Sequence, residues 1–149
     1  MNVWLATTSD CTVVLDLVSK LLVELGGSSL QMAKATPVFH DLITREDAGF
    51  VVLGKTDHAV SAVCTMSFLQ ALRSHGRYAI IQEMYVAPKE RSTGIGTSVL
   101  RFALDHALAV GCCFVELGTP TECHRQIQFY ERSGFVSVGA RLRWTPRAS

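Results

Sequence analysis

The chain has 149 residues, 48% of them apolar and 18% charged, with a formal net charge of +1. That length fits a single domain spanning residues 1–149 with its own core, and the composition excludes a disordered chain. The balanced charge, with no local run of Lys or Arg, argues against a nucleic-acid surface. Mean hydropathy is positive, yet no stretch reaches the roughly 18 uninterrupted apolar residues of a membrane span. Met1–Ala6 lacks the basic region and long apolar core of a secretory signal. A cytoplasmic protein with no membrane partner is expected. The five cysteines include no Cys-x-x-Cys pair, so buried free thiols are expected rather than a metal site. The histidines show no ligand spacing either, and no metal is predicted.

Val3 to Thr7 reads as a first strand. Ser9 or Asp10 can cap a helix running to about Leu25, with Val13, Val14, Leu17, Val18, Leu21 and Leu22 on one face. Gly26-Gly27 ends it. A second helical region starts at Ser28 or Ser29 and runs toward Glu46, with Pro37 breaking or restarting it. Phe50–Leu53 and Ala59–Phe68 read as strands joined across Lys55-Thr56-Asp57-His58. Leu69–Arg77 is polar and basic and reads as a loop; Arg73, His75 and Arg77 there are either simply solvated or favour an anionic group on a substrate. Ala79–Val86 is a strand ended by Ala87-Pro88. A helix covers about Thr97 to Val110, Phe114–Leu117 is a strand, and Arg125–Arg132 is a short helix. Phe135–Val138 and Arg141–Trp144 complete the chain as a hairpin around Gly139-Ala140. The order β-α-α-β-β-β-α-β-α-β-β predicts a mixed sheet covered by helices, in the α/β class.

The most informative stretch is Arg91-Ser92-Thr93-Gly94-Ile95-Gly96, a turn between a strand and a helix. Its glycines can take positive φ and let a ligand approach the backbone. The helix that follows points unpaired amides and the positive end of its dipole at the same place, which suits a phosphate. Arg91 adds a cation with forked donors. No Gly-Lys-Ser/Thr follows, so this is not a Walker A loop, and Val99 stands where a dinucleotide fingerprint needs its third glycine. A tight turn with no ligand is the plain alternative. Glu83 lies in an otherwise apolar strand, where a carboxylate is costly unless paired or functional. The alternation also allows Gln82 or Glu83 simply to face solvent.

The strand, the Arg-x-x-Gly-x-Gly turn and the helix resemble the acetyl-CoA-binding motif of the GNAT superfamily of N-acetyltransferases. Gln128-Phe129-Tyr130-Glu131-Arg132-Ser133-Gly134-Phe135 is similar to that family's C-terminal Phe-Tyr-x-x-x-Gly-Phe signature. The two blocks stand in the right order and spacing, and the resemblance covers roughly Ala59 to Trp144. It implies a GNAT fold, with a mixed central β-sheet whose middle strands, carrying Glu83 and Val115, splay apart to admit the cofactor. It implies acetyl-CoA as co-substrate, its pyrophosphate held by Arg91, Ser92, Thr93, Gly94, Ile95, Gly96 and Thr97. The peptide-like pantetheine arm would lie along the backbone of Met84, Tyr85 and Val86. Glu83 would be the base for the amine, directly or through water, and Tyr130 the acid for the leaving thiolate, whose basicity a phenol matches. A core aromatic is the other reading of Tyr130.

Many relatives carry an Asn seven residues before that Tyr, contacting the cofactor; here the position is Cys123. A nucleophilic role for Cys123 beside His124 is possible chemistry, but the resemblance implies direct transfer, with Cys123 in an altered supporting contact. Gly111–Leu117 is somewhat similar to the matching stretch of glucosamine-phosphate N-acetyltransferases, which hints at a small polar amine. The resemblance therefore implies acetyl transfer to a primary amine of a small molecule within a ternary complex. A protein or peptide terminus, or a non-catalytic acyl-CoA-binding relative, are the alternatives. The apolar composition and final hairpin also predict a homodimer.

Overall fold

The computed structural model describes residues 1–57 and 59–147. Five strands form one sheet in the order β1 (Asn2–Leu5), β2 (Gly49–Lys55), β3 (Val60–Ala71), β4 (Gly76–Val86) and β5 (Val115–Leu117). β1 to β4 pair antiparallel, whereas β4 and β5 pair parallel, so the sheet is mixed. The helices are α1 (Cys11–Glu24), α2 (Met32–Thr44), α3 (Ile95–Ala109) and α4 (His124–Arg132).

Alternation along the strands divides the core between two faces. Val51, Leu53, Val63 and Tyr85 pack with Val14, Leu15, Leu17 and Val18 of α1 and Phe39 of α2. The opposite face carries α3. There the Phe50 ring meets His106 edge-on at 4.6 Å. A side chain at Gly54 would meet Val99 of α3 at 2.5 Å, so glycine is needed for α3 to sit this close to β2. Cys64 is buried, and burial, then the nearby Glu83 charge, pushes its thiol up to about 12.

α1 starts after Asp10, one of its two expected caps, behind a 3-10 turn over Thr8–Asp10 in which the Asp10 carboxylate accepts the Thr7 amide at 2.9 Å. Three local readings differ from the structure. α2 begins at Met32 and keeps Pro37 inside it without a break. The expected loop over Leu69–Arg77 is a hairpin instead: β3 runs to Ala71, a 3-10 turn takes Leu72–Ser74, and β4 starts at Gly76. His75 turns the chain there with a φ of 52°. The predicted final hairpin over residues 135–144 is not formed, because no strand lies among the described residues after α4. Alternating pattern alone does not make a strand; its amides and carbonyls need a neighbour. In the predicted β2–β3 turn, His58 lies outside the described residues.

The chain divides into two compact units, Met1–Leu117 and Gly118–Ser149. The first holds the sheet with α1 to α3, and the second holds α4 and the residues after it.

Candidate active site

In the first unit, β4 positions most of the predicted residues. Its pairing with β3 shifts register between Thr65 and Met66: Thr65 faces Glu83, whereas Met66 faces Ile81, which leaves Gln82 as an extra residue. Such a bulge bends a strand and re-aims its side chains. Gln82 is exposed and Glu83 half-buried. The Glu83 amide donates to the Thr65 hydroxyl at 3.0 Å, and that hydroxyl donates in turn to Glu83 Oε2. A carboxylate in a strand is thus satisfied by a partner 18 residues away.

Beyond the bulge β4 outruns β5. The last β4–β5 pair is Ile81 with Leu117, and β4 continues to Val86. Among the described residues no strand pairs with Gln82–Val86 on that side. Met84, Tyr85 and Val86 thus lie on β4 beyond its last pair with β5.

The turn after β4 contains a 3-10 segment, Pro88–Glu90, which the Thr93 hydroxyl holds by donating to the Glu90 carbonyl at 2.6 Å. Ser92 takes a φ of 67° and Gly94 of 95°. Gly96 lies in the first turn of α3 and does not take positive φ. The first α3 ladder bond runs from the Ser98 amide to the Gly94 carbonyl at 3.0 Å. The amides of Ile95, Gly96 and Thr97 therefore precede the ladder and form the donor end of the helix. Buried Ile95 anchors that end in the core, while Thr93, Gly94 and Thr97 are exposed. Around Gly94 the space is open, with Met1 Cε at 3.9 Å as the one neighbour found near a side-chain position. Amides ahead of the helix ladder and a glycine with open space are groups that could hold a phosphate.

Arg91, expected from the sequence as a cation for the pyrophosphate, is held by several contacts. Its Nε donates to the Val86 carbonyl at 2.9 Å, and its Nη2 reaches both Glu24 oxygens at 2.8 and 2.7 Å. Its guanidinium also lies 5.8 Å from the centre of the Tyr85 ring. Here Arg91 fastens the turn to β4 and to the end of α1. Glu24 and Lys20 also line a cavity of about 340 Å³ beside Tyr85, with Asp16, Ser19 and Ser29. Lys20 lies 2.8 Å from Asp16, a hydrogen bond that raises its pKa. No sequence signal marks the Glu24–Arg91 pair or the Thr65–Glu83 pair, because both join residues distant in the chain.

In the second unit, Cys123 stands just before α4 and its carbonyl accepts the Ile127 amide at 3.1 Å. Phe129 and Tyr130 meet edge-on at 5.1 Å, and Tyr130 and Phe135 at 5.6 Å. Gly134, with φ 94°, ends the helix and lets Phe135 fold back so that its amide donates to the Tyr130 carbonyl at 3.1 Å. The spacing Phe-Tyr-x-x-x-Gly-Phe is therefore a helix end that clasps the Tyr130 ring. Among the described residues no group of three or more His, Cys, Asp or Glu gathers as a metal site. No described helix is long and apolar enough to cross a membrane.

A mixed five-stranded sheet flanked by helices, with a glycine turn leading into a helix N-terminus, defines an α/β protein. The Acetyltransferase (GNAT) family matches residues 17–135, and the chain belongs to that family. An uncharacterized N-acetyltransferase of Methanocaldococcus jannaschii is 33% identical over 98 residues, which are 65% of this chain and 43% of the relative. The chain thus spans less than half the length of that curated relative. Among solved structures, an integron cassette protein from the mobile metagenome of Cole Harbour Salt Marsh has a TM-score of 0.84 at 21% identity, covering 99% of this chain and 91% of its own. An aminoglycoside 6'-N-acetyltransferase from Acinetobacter haemolyticus has a TM-score of 0.76 at 17% identity, with both chains fully covered (100% and 100%). These two likenesses establish the fold.

If the turn holds pyrophosphate, Gly94→Val should weaken coenzyme A binding by about tenfold or more, because a branched residue at this φ is strained and fills the open space. Isothermal titration of the folded variant measures this; an unchanged affinity removes the phosphate role of the turn.

Proposed function

We propose that this protein, acting as one domain, transfers acetyl from acetyl-CoA to a primary amine of a small molecule, by direct attack in a ternary complex. The observation that carries the reading is the bulged end of β4. It presents a held carboxylate, Glu83, on a strand whose open edge leads to the amide-rich turn at Gly94. Acetyl-CoA supplies the activated acetyl thioester. The amides from Ser92 to Thr97 bind its pyrophosphate, and Met84 to Val86 align its arm. Arg91 and Cys123 act as supports of that site. Glu83 Oε1 takes a proton from the incoming ammonium, so that the amine nitrogen can form the new C–N bond. As the C–S bond breaks, Tyr130 gives its phenolic proton to the departing thiolate sulfur, and the proton that the new amide nitrogen sheds restores the phenol. The aminoglycoside acetyltransferase among its structural neighbours makes a small polyamine a sensible first acceptor.

Initial rates with both substrates varied test direct transfer. Intersecting double-reciprocal lines are expected. Parallel lines signal a covalent acyl-enzyme and reopen the nucleophile reading of Cys123.

A cytoplasmic homodimer is part of the proposal. Val136, Val138, Leu142 and Trp144 are 78%, 80%, 91% and 84% exposed and recur at every second or fourth position, the pattern of one strand face. A second copy covering that face would remove an aggregation-prone apolar stripe. Light scattering at micromolar protein should give twice the 16.3 kDa chain mass; a concentration-independent mass of one chain sinks the dimer.

A further inference from the structure

We propose that Thr65 is a positioning residue that sets the Glu83 carboxylate for proton transfer, a role that rests on reading Glu83 as the base. Thr65 is buried in β3, 3% exposed, directly across from Glu83. Its hydroxyl does two things for the same residue. It accepts the Glu83 amide at 3.0 Å, and it donates its one proton to Oε2. The bulge explains why a side chain is needed here: the extra residue Gln82 disrupts the regular ladder, and the hydroxyl takes up the Glu83 amide. Holding backbone and carboxylate together fixes the side-chain torsions before the substrate arrives. Among the described residues Oε1 accepts no hydrogen bond, so the clamp occupies one oxygen and leaves the other for the amine proton.

The titratable neighbour on β3 is Cys64, whose thiol is pushed up to about 12 and stays neutral through the working range. On α1, which packs over this face, Asp16 and Lys20 pair with each other at 2.8 Å. The Thr65 hydroxyl is thus the contact whose loss frees the carboxylate most directly.

The test compares Thr65→Ser, Thr65→Val and Glu83→Gln, using acetyl-CoA with kanamycin or glucosamine as acceptor and thermal melting as the check on folding. Thr65→Ser keeps both bonds and should stay within about threefold of the parent rate. Thr65→Val should lower kcat by about tenfold or more and leave the KM for acetyl-CoA nearly unchanged. A folded Thr65→Val enzyme with the parent kcat overturns the proposal. A Glu83→Gln enzyme with the parent profile overturns the base reading instead. The carboxyl carbon signal of 13C-labelled Glu83 follows the clamp with no acceptor at all. Its chemical shift should move in Thr65→Val and hold in Thr65→Ser, and an unmoved signal in Thr65→Val overturns positioning even if Glu83 proves not to be the base.

Discussion

Glu83→Gln should lower the rate of acetyl transfer by about 10² to 10⁴ at neutral pH, the range that a positioned base contributes. The substitution is nearly isosteric, and the amide oxygen can still accept the Thr65 hydroxyl, so the bulge and the fold persist. What is lost is a group able to take a proton. The deficit should shrink as pH rises toward the amine's own pKa, because free amine then forms unaided. Rates measured across pH at saturating acetyl-CoA check this. A loss that stays constant at every pH assigns Glu83 to substrate positioning and leaves the base unidentified.

Tyr130→Phe should lower transfer by about 10² or more, since it removes only the phenolic proton donor. The ring remains, with its edge-on contacts to Phe129 and Phe135 and the turn at Gly134. Coenzyme A affinity and melting temperature should therefore change little. With a better leaving group, such as an acetyl thioester of an acidic thiol, the deficit should narrow, because such a thiolate leaves without help. A variant that turns over acetyl-CoA at the parent rate makes Tyr130 a packing residue and nothing more.

Much of this fold is written in short-range pattern. α1 shows its apolar face at helical spacing, and Gly26 stands just past its end. The strand–turn–helix around Gly94 follows from β-branched residues, two glycines and a second apolar face, and both signature blocks mark the elements that carry the candidate acid and base. What the pattern hides is contact across distance. Thr65 reads as one polar residue in an apolar strand; only the register of β3 on β4 reveals it as the partner of Glu83. Arg91 reads as a free cation until Glu24, 67 residues earlier, is brought beside it. The outer ends of β3 and β4 look like a loop because Gln70, Arg73 and Arg77 suit water, yet strands that protrude beyond the core have little reason to be apolar. The segment after α4 misleads in the opposite direction. Val136, Val138, Ala140, Leu142 and Trp144 alternate as a strand should, but strand formation waits on a neighbour that a local pattern does not specify.

Amine-dependent release of free thiol from acetyl-CoA tests the central claim most directly. The protein is incubated with acetyl-CoA and, in turn, with amino sugars, amino acids, an aminoglycoside and a peptide with a free N-terminus. Thiol release is followed continuously, and each acceptor is weighed by mass spectrometry. The account predicts thiol release that depends on one of the small amines and matches, mole for mole, an acceptor heavier by one acetyl group. A protein that binds coenzyme A tightly yet releases no thiol above background with any amine contradicts it, and would make the chain an acyl-CoA-binding member of the family without transfer chemistry.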